Sequence, residues 1–158
     1  LPAMLGKILP YTVVFLLLLG LSDVALYGWL AVPLRGSLWL MALGAVLFVL
    51  ASQMIGALAF VLTRDMGRAT SLIAIITAPT FAFMGLGFPR EAMSTLAQAW
   101  GAAIPGTWYV QLRIDQSLRA TPLDISAMSV LWLAVIAGVL ATLILAQLSR
   151  LARQEVAS

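Results

Sequence analysis

The sequence contains no cysteine and no histidine. Without cysteine there is no disulfide framework and no thiolate nucleophile. Without histidine the chain lacks the commonest general base and metal ligand at physiological pH. Charge is scarce as well: nine basic and six acidic residues make up 9% of the 158-residue chain, against about 25% in soluble domains. There is no G-x-S-x-G elbow, no H-E-x-x-H pair and no phosphate-binding G-x-x-x-x-G-K-[ST] loop. An intramembrane aspartyl dyad would need two embedded aspartates, and only Asp23 lies well inside an apolar run. These absences point away from an enzyme. No catalytic residue, metal ligand or cofactor-binding residue is expected in the chain. If its work consumes ATP, the nucleotide site is on another polypeptide.

What the sequence has in abundance is apolar surface. It is 63% hydrophobic, with a mean hydropathy of +1.06. A water-soluble fold of this size leaves about a third of its chain surface exposed and could not hide so much. Lipid is the solvent that fits. A bilayer crossing takes roughly 20 mainly apolar residues, so the chain has room for several. The net charge of +3 and a pI near 10 do not imply nucleic acid. The basic residues are scattered singly at the ends of apolar runs, as snorkelling anchors are. The opening "LPAMLGKILPY" lacks the basic start and cleavage site of a signal peptide. Because it also lacks an initial Met, the chain is expected to be the C-terminal part of something longer.

The apolar pattern predicts an all-α integral membrane protein with a single transmembrane domain over 1–158. Four spans are expected, over about 8–31, 37–63, 71–88 and 128–148. Tyr11, Tyr27 and Trp29 sit at interfacial levels of the first. Pro33 and Gly36 break the short turn that sends the second span back antiparallel. Residues 90–120 differ in character. Met93, Leu96, Ala97, Trp100 and Ile104 share one face of a helix, Pro105-Gly106 breaks it, and Val110, Ile114 and Leu118 stack on a second. Gln111, Asp115 and Arg119 make a polar row beside them, with the last two able to pair at i, i+4. Each half is too short to cross. The pair is therefore expected to be amphipathic, extracytoplasmic and lying on or re-entering the membrane. Four crossings put both ends on one side. With that side cytoplasmic, Lys7, Arg64, Arg68, Arg150 and Arg153 are inside and Arg35, Arg90, Arg113 and Arg119 outside.

Few polar groups lie within the spans, and these are the candidate pathway residues. A charge in a span costs roughly 2.5–3.5 kcal/mol on insertion scales, so Asp23 in "LGLSDVALYG" stands out. It is either a polar group on a substrate path or cation site, or a residue paired with Ser22, Thr12 or a neighbouring helix, or reached by interfacial water. Gln53 in "LASQMIGAL" can bond across to another helix. Ser52 and Gly56 beside it form a small-xxx-small pair that favours close packing. Thr77, Pro79 and Thr80 interrupt the third span, and the proline frees a backbone carbonyl there. That leaves either a kink used in gating or a static one.

Four motifs in order carry a resemblance. "GKILPY" opening a span, "VPLRGSL" at the first outer turn, "GFPREAM" after the third span and "IPGTWYVQLRIDQSLRATPL" before the last together resemble the membrane subunits of ABC-2 type exporters, in the drug-export branch. The resemblance implies that these are the last four of six spans of a permease in the bacterial inner membrane. It implies a dimer with a second permease copy or homologue, contact with membrane lipid, and a separate ATPase subunit that binds ATP and Mg. A hydrophobic or amphipathic substrate would pass between the permease halves. Residues 90–120 would shape an outer gate, with Phe88, Pro89, Arg90, Glu91, Pro105, Gly106, Trp108 and Tyr109 as its candidate residues. Asp23 departs from the family pattern, which has an apolar or small residue there. The readings from other classes are a non-transporting membrane module that anchors or assembles partners, and a secondary transporter.

Overall fold

The computed structural model describes residues 2–85, 92–119 and 121–156, with side chains described except at 2–5, 7 and 154–156. Among the described residues there is no strand. α1 (Pro2–Asp23) continues directly into a π-helical stretch, Val24–Trp29. α2 (Leu38–Thr63) opens on Ser37, whose Oγ accepts from Leu40 N. It closes on Arg64, which adopts the left-handed region (φ 53°) while donating to the Phe60 carbonyl. Asp65 then caps α3 (Met66–Phe83) by accepting from Arg68 N at 2.8 Å. The turn between these two helices is therefore only Arg64-Asp65. α3 starts five residues before the expected Ser71, because an aspartate N-cap satisfies the orphan amides of a helix start that hydropathy alone does not register.

α4 (Thr95–Ala103) is capped by Ser94, and α5 (Pro105–Ile114) starts on proline, whose missing N–H costs nothing there. α5 also ends in a π-helical stretch, Asp115–Arg119. α6 (Leu123–Val156) is longer at both ends than the expected 128–148. Its polar turns lie beyond the apolar window, and helix formation does not stop where apolarity does. Four helices are long and apolar enough to cross a membrane: Ile8–Trp29, Leu38–Thr63, Met66–Phe83 and Leu123–Arg153. The expected end of the third span, Phe88, lies outside the described residues, as do Pro89, Arg90 and Glu91.

α2 is the hub and packs on α1, α3, α5 and α6. Register follows from side-chain pairs. Along α5 and its π-helical end, Tyr109 stacks on Phe48, Leu112 packs at Gly44, and Gln116 reaches Gly36 and Ser37. On the other side Trp108 stacks on Trp132 and Gln116 bonds Ser126. So α5 runs antiparallel to both α2 and α6, which run parallel to each other. The core joins Ala45 of α2, Tyr109 of α5 and Leu133 of α6. The start of α5 lies at the level of Phe48, ten residues or about 15 Å along α2 from its first turn.

The inward face of α5 is a different one from the apolar row Val110, Ile114 and Leu118. Tyr109, Leu112 and Gln116 are buried instead, and Leu118 is exposed. On α4, Leu96 is 83% exposed and the buried edge is Gly101, where an added Cβ would sit 2.6 Å from the Phe83 carbonyl. Lipid is as apolar as leucine, so in a bilayer the apolar side of a helix need not face the protein. Close approach decides the packing. A methyl group at Gly44 would run into Leu112 Cδ2. Gly44→Val is therefore expected to destabilise the purified protein by about 1–3 kcal/mol through overpacking. Gly138→Ala, which meets open space, should be near neutral. Equal thermal unfolding of the two variants would contradict this register.

Candidate functional site

At the end of the bundle where α1 gives way to its π-helical stretch, five polar side chains from two segments converge. Asp23 is the last residue of α1, and its Oδ1 accepts from Arg113 Nη2 in an ion pair. Arg113 also donates from Nη1 to Tyr109 OH at 3.0 Å and from Nη2 to Tyr27 OH at 3.4 Å. Tyr27 OH and Ser117 Oγ share a hydrogen bond of 2.7 Å. The side chains of Arg113 and Asp23 are only 20% and 27% exposed. The two π-helical stretches thus face each other, joined by Tyr27–Ser117, with the ion pair just inside them. Such stretches are rare and concentrate at functional sites, because the wide turn re-aims side chains. Here it brings Tyr27 and Ser117 within bonding distance.

The ion pair resolves Asp23 in favour of a neighbouring helix. Ser22 is not the partner, since its hydroxyl donates to the Leu18 carbonyl. Thr12 is not either. Its hydroxyl lies 2.9 Å from the Ile8 carbonyl and 2.7 Å from Gln53 Oε1. Gln53 therefore bonds across to α1, as an amide at that depth can. Its buried Nε2 has no partner among the described residues. The structure does not bring Gln53 together with Asp23. Thr12 and Asp23 are eleven residues apart, about 16 Å along α1.

A second polar knot holds the same end of the bundle. Gln116 is fully buried. Its Oε1 accepts from Ser37 N at 2.7 Å, and its Nε2 donates to Ser126 Oγ at 2.7 Å and to the Thr121 carbonyl at 3.3 Å. One side chain so ties the α1–α2 turn, the end of α5 and the first turn of α6. The polar row stands as expected: Gln111 Nε2 donates to Asp115, and Arg119 pairs with Asp115 at 3.5 Å. Gln116 and Arg113 lie within the quoted motif before the last span, but neither motif nor periodicity singles them out as site residues. The one available signal is that a lone acid inside a span needs a base, and Arg113 is one of nine basic residues.

The gate candidates divide. Trp108 stacks on Trp132, with ring centroids 5.2 Å apart, and its Nε1 donates to the Ala102 carbonyl at 2.8 Å, closing the hairpin on itself. Tyr109 stacks on Phe48 at 4.6 Å and is 6% exposed. Pro105 and Gly106 sit at the hairpin's tip, and with Thr77 they line one cavity between α2, α3 and the tip. Thr77 and Thr80 donate to the Ile73 and Ile76 carbonyls. Pro79 lies inside α3 and, lacking an N–H, leaves the Ile75 carbonyl without its intrahelical donor. Ser52 and Gly56 face that same cavity, and an added Cβ on Gly56 would lie 3.9 Å from Ile73 Cδ1, in van der Waals contact with α3.

No group of three or more potential metal ligands occurs among the described residues. What the arrangement offers is electrostatic and mechanical: one charge pair and two hydrogen-bond knots that fix a short hairpin between spans. A double-mutant cycle with Asp23→Asn and Arg113→Gln, read as unfolding free energy of the purified protein, should give a coupling of about 1–3 kcal/mol. Additivity would mean that the pair does not form.

Comparison with known proteins places the chain. Residues 1–146 match the family described as ABC-2 family transporter protein. The inner membrane transport permease YhhJ of Escherichia coli (strain K12) is 31% identical over 143 residues, and so is its Shigella flexneri counterpart. The aligned region is 90% of this chain but 38% of those relatives, so the chain spans well under half of their length. No solved structure matches.

Proposed function

The chain belongs to the ABC-2 family of transporter proteins, and from that premise we propose that it forms part of the translocation pathway of an exporter in a bacterial inner membrane. The permease works as a dimer, with a second copy or a homologue, and moves a hydrophobic or amphipathic substrate. ATP and Mg are bound by a separate ATPase subunit, whose hydrolysis supplies the free-energy difference between the two access states. Both ends of this segment face the cytoplasm. The start of α1 and the end of α6 lie at the same end of the bundle, which supports that assignment. The printed name of the E. coli relative supports the membrane and the class of activity.

The observation that carries the reading is the α4–α5 hairpin. Its tip reaches the level of Phe48 in α2, and its return limb ends at Gln116 beside Ser37 at the helix start. That geometry supports the reading of a re-entrant pair that enters and leaves at the outer face. Non-helical backbone at such depth is tolerated only where protein or a cavity surrounds it, and here it meets both. Short broken helices between spans suit alternating access, because they can seal one side while the other opens. In this reading Asp23–Arg113 and Tyr27–Ser117 latch the hairpin to α1 and hold the outer gate shut.

The test is co-reconstitution of the full-length permease with its ATPase in proteoliposomes, using an amphipathic fluorescent dye as cargo. Dye-stimulated ATP hydrolysis is expected only when both subunits are present. Dye transport by the permease alone on an ion gradient would sink the proposal. Asp23→Asn should change substrate preference or alter the transport rate by about five- to tenfold, the range of a modest coupling energy, and do so more than it lowers expression. Wild-type rates across several dyes would leave Asp23 only a structural role.

A further inference from the structure

The cavity behind the hairpin tip has a volume of about 430 Å³, well within the range of ligand sites. Its walls come from α2 (Phe48, Gly56), α3 (Ile76, Thr80, Met84) and the tip (Ile104), among others. No lining residue carries a charge or a side-chain amide. Its polar groups are three hydroxyls: those of Thr77 and Thr80 donate to α3 carbonyls, and Ser52 stands exposed with Thr77 at the rim. Water needs two to four polar partners to be held in a site, and the apolar walls deeper in provide none. An empty apolar cleft of this size leaves its walls short of packing contacts, so a stable bundle fills it with something apolar.

Depth identifies what is at hand to fill it. Phe48 to Gly56 is the middle of α2, a 26-residue helix with a hydropathy suited to crossing a bilayer. Surrounding this level is the hydrocarbon of the bilayer itself, present at far higher concentration than any solute. Trp100 stands in the lining and is 44% exposed, so the cavity communicates with the helix surroundings. We propose that the cavity between α2, α3 and the α4–α5 tip is a binding site for one phospholipid acyl chain, wedged behind the re-entrant hairpin. The site is internal to a single chain and does not depend on the transport reading.

The experiment uses the full-length permease with its ATPase in nanodiscs containing a phospholipid with a diazirine midway along one acyl chain. After photolysis, adducts are mapped by mass spectrometry. Adducts are expected on Ile76, Thr80, Met84 and Ile104, besides those on the outward side chains Val135 and Val139 of α6. Gly56→Phe puts a ring into the cavity past Ile73 Cδ1, which lies 3.9 Å from the position of an added Cβ. It should cut the cavity adducts about tenfold, the scale on which a filled apolar pocket rejects an extra group, and leave the α6 adducts unchanged. If Gly56→Phe does not assemble, Ile76→Trp blocks the same space from α3. Surface adducts without cavity adducts would overturn the proposal, since another part of the full-length chain would then fill the space. Cavity adducts insensitive to both blocking variants would overturn it as well. Displacement of the label by a transported amphiphile at saturation would assign the site to cargo, not to membrane lipid.

Discussion

Arg113 must have a partner, and much of the structure is arranged around supplying it. The residue sits on a short helix whose neighbouring turns, Tyr109 and Leu112, are in the core. A guanidinium there cannot be left to lipid. Asp23 answers it from α1, Tyr109 and Tyr27 accept from it as well, and the π-helical stretches set those groups in reach. Removing the aspartate would leave the cation desolvated and unpaired, the more costly of the two ways to lose an ion pair. This pair is the main polar tie between α1 and the hairpin. α1 otherwise presents a largely exposed apolar surface.

The remaining polar groups follow the same logic at other depths. Gln53 meets Thr12 halfway down α1, and Gln116 closes the outer layer by bonding three separate segments. Between these layers the contacts are apolar and set by small residues. Gly44 admits Leu112, and Gly101 lies against the Phe83 backbone. Hydrophobic burial cannot select among helix faces in lipid, so fit and hydrogen bonding do. The hairpin is held by both, and its tip lines one side of the cavity between α2 and α3.

How much of this was legible in the sequence depends on which forces leave a local mark. The number and order of the spans are legible, because bilayer thickness sets a length that hydropathy reports. So is the pair of short helices, whose limbs are too short to cross and are divided by Pro105-Gly106. The early start of α3 was open to reading as well, since Asp65 precedes Arg68 by the spacing of an N-cap. The inward face of α5 was not, because an apolar solvent removes the contrast that makes helix periodicity informative. The partner of Asp23 was not either. Ninety residues separate it from Arg113, and nothing local in "VQLRID" distinguishes that arginine from the other outer ones.

If the hairpin is an outer gate latched to α1, the latch must lengthen when the gate opens. Spin labels at Leu21 and Leu118, both exposed, report that distance across the Asp23–Arg113 pair in the full-length permease with its ATPase. Double electron–electron resonance, comparing nucleotide-free and ATP-trapped states, should show one short distance distribution and one lengthened by about 5 Å, the scale of a one-turn shift between packed elements. Identical distributions in both states, in a preparation that transports, would contradict the account.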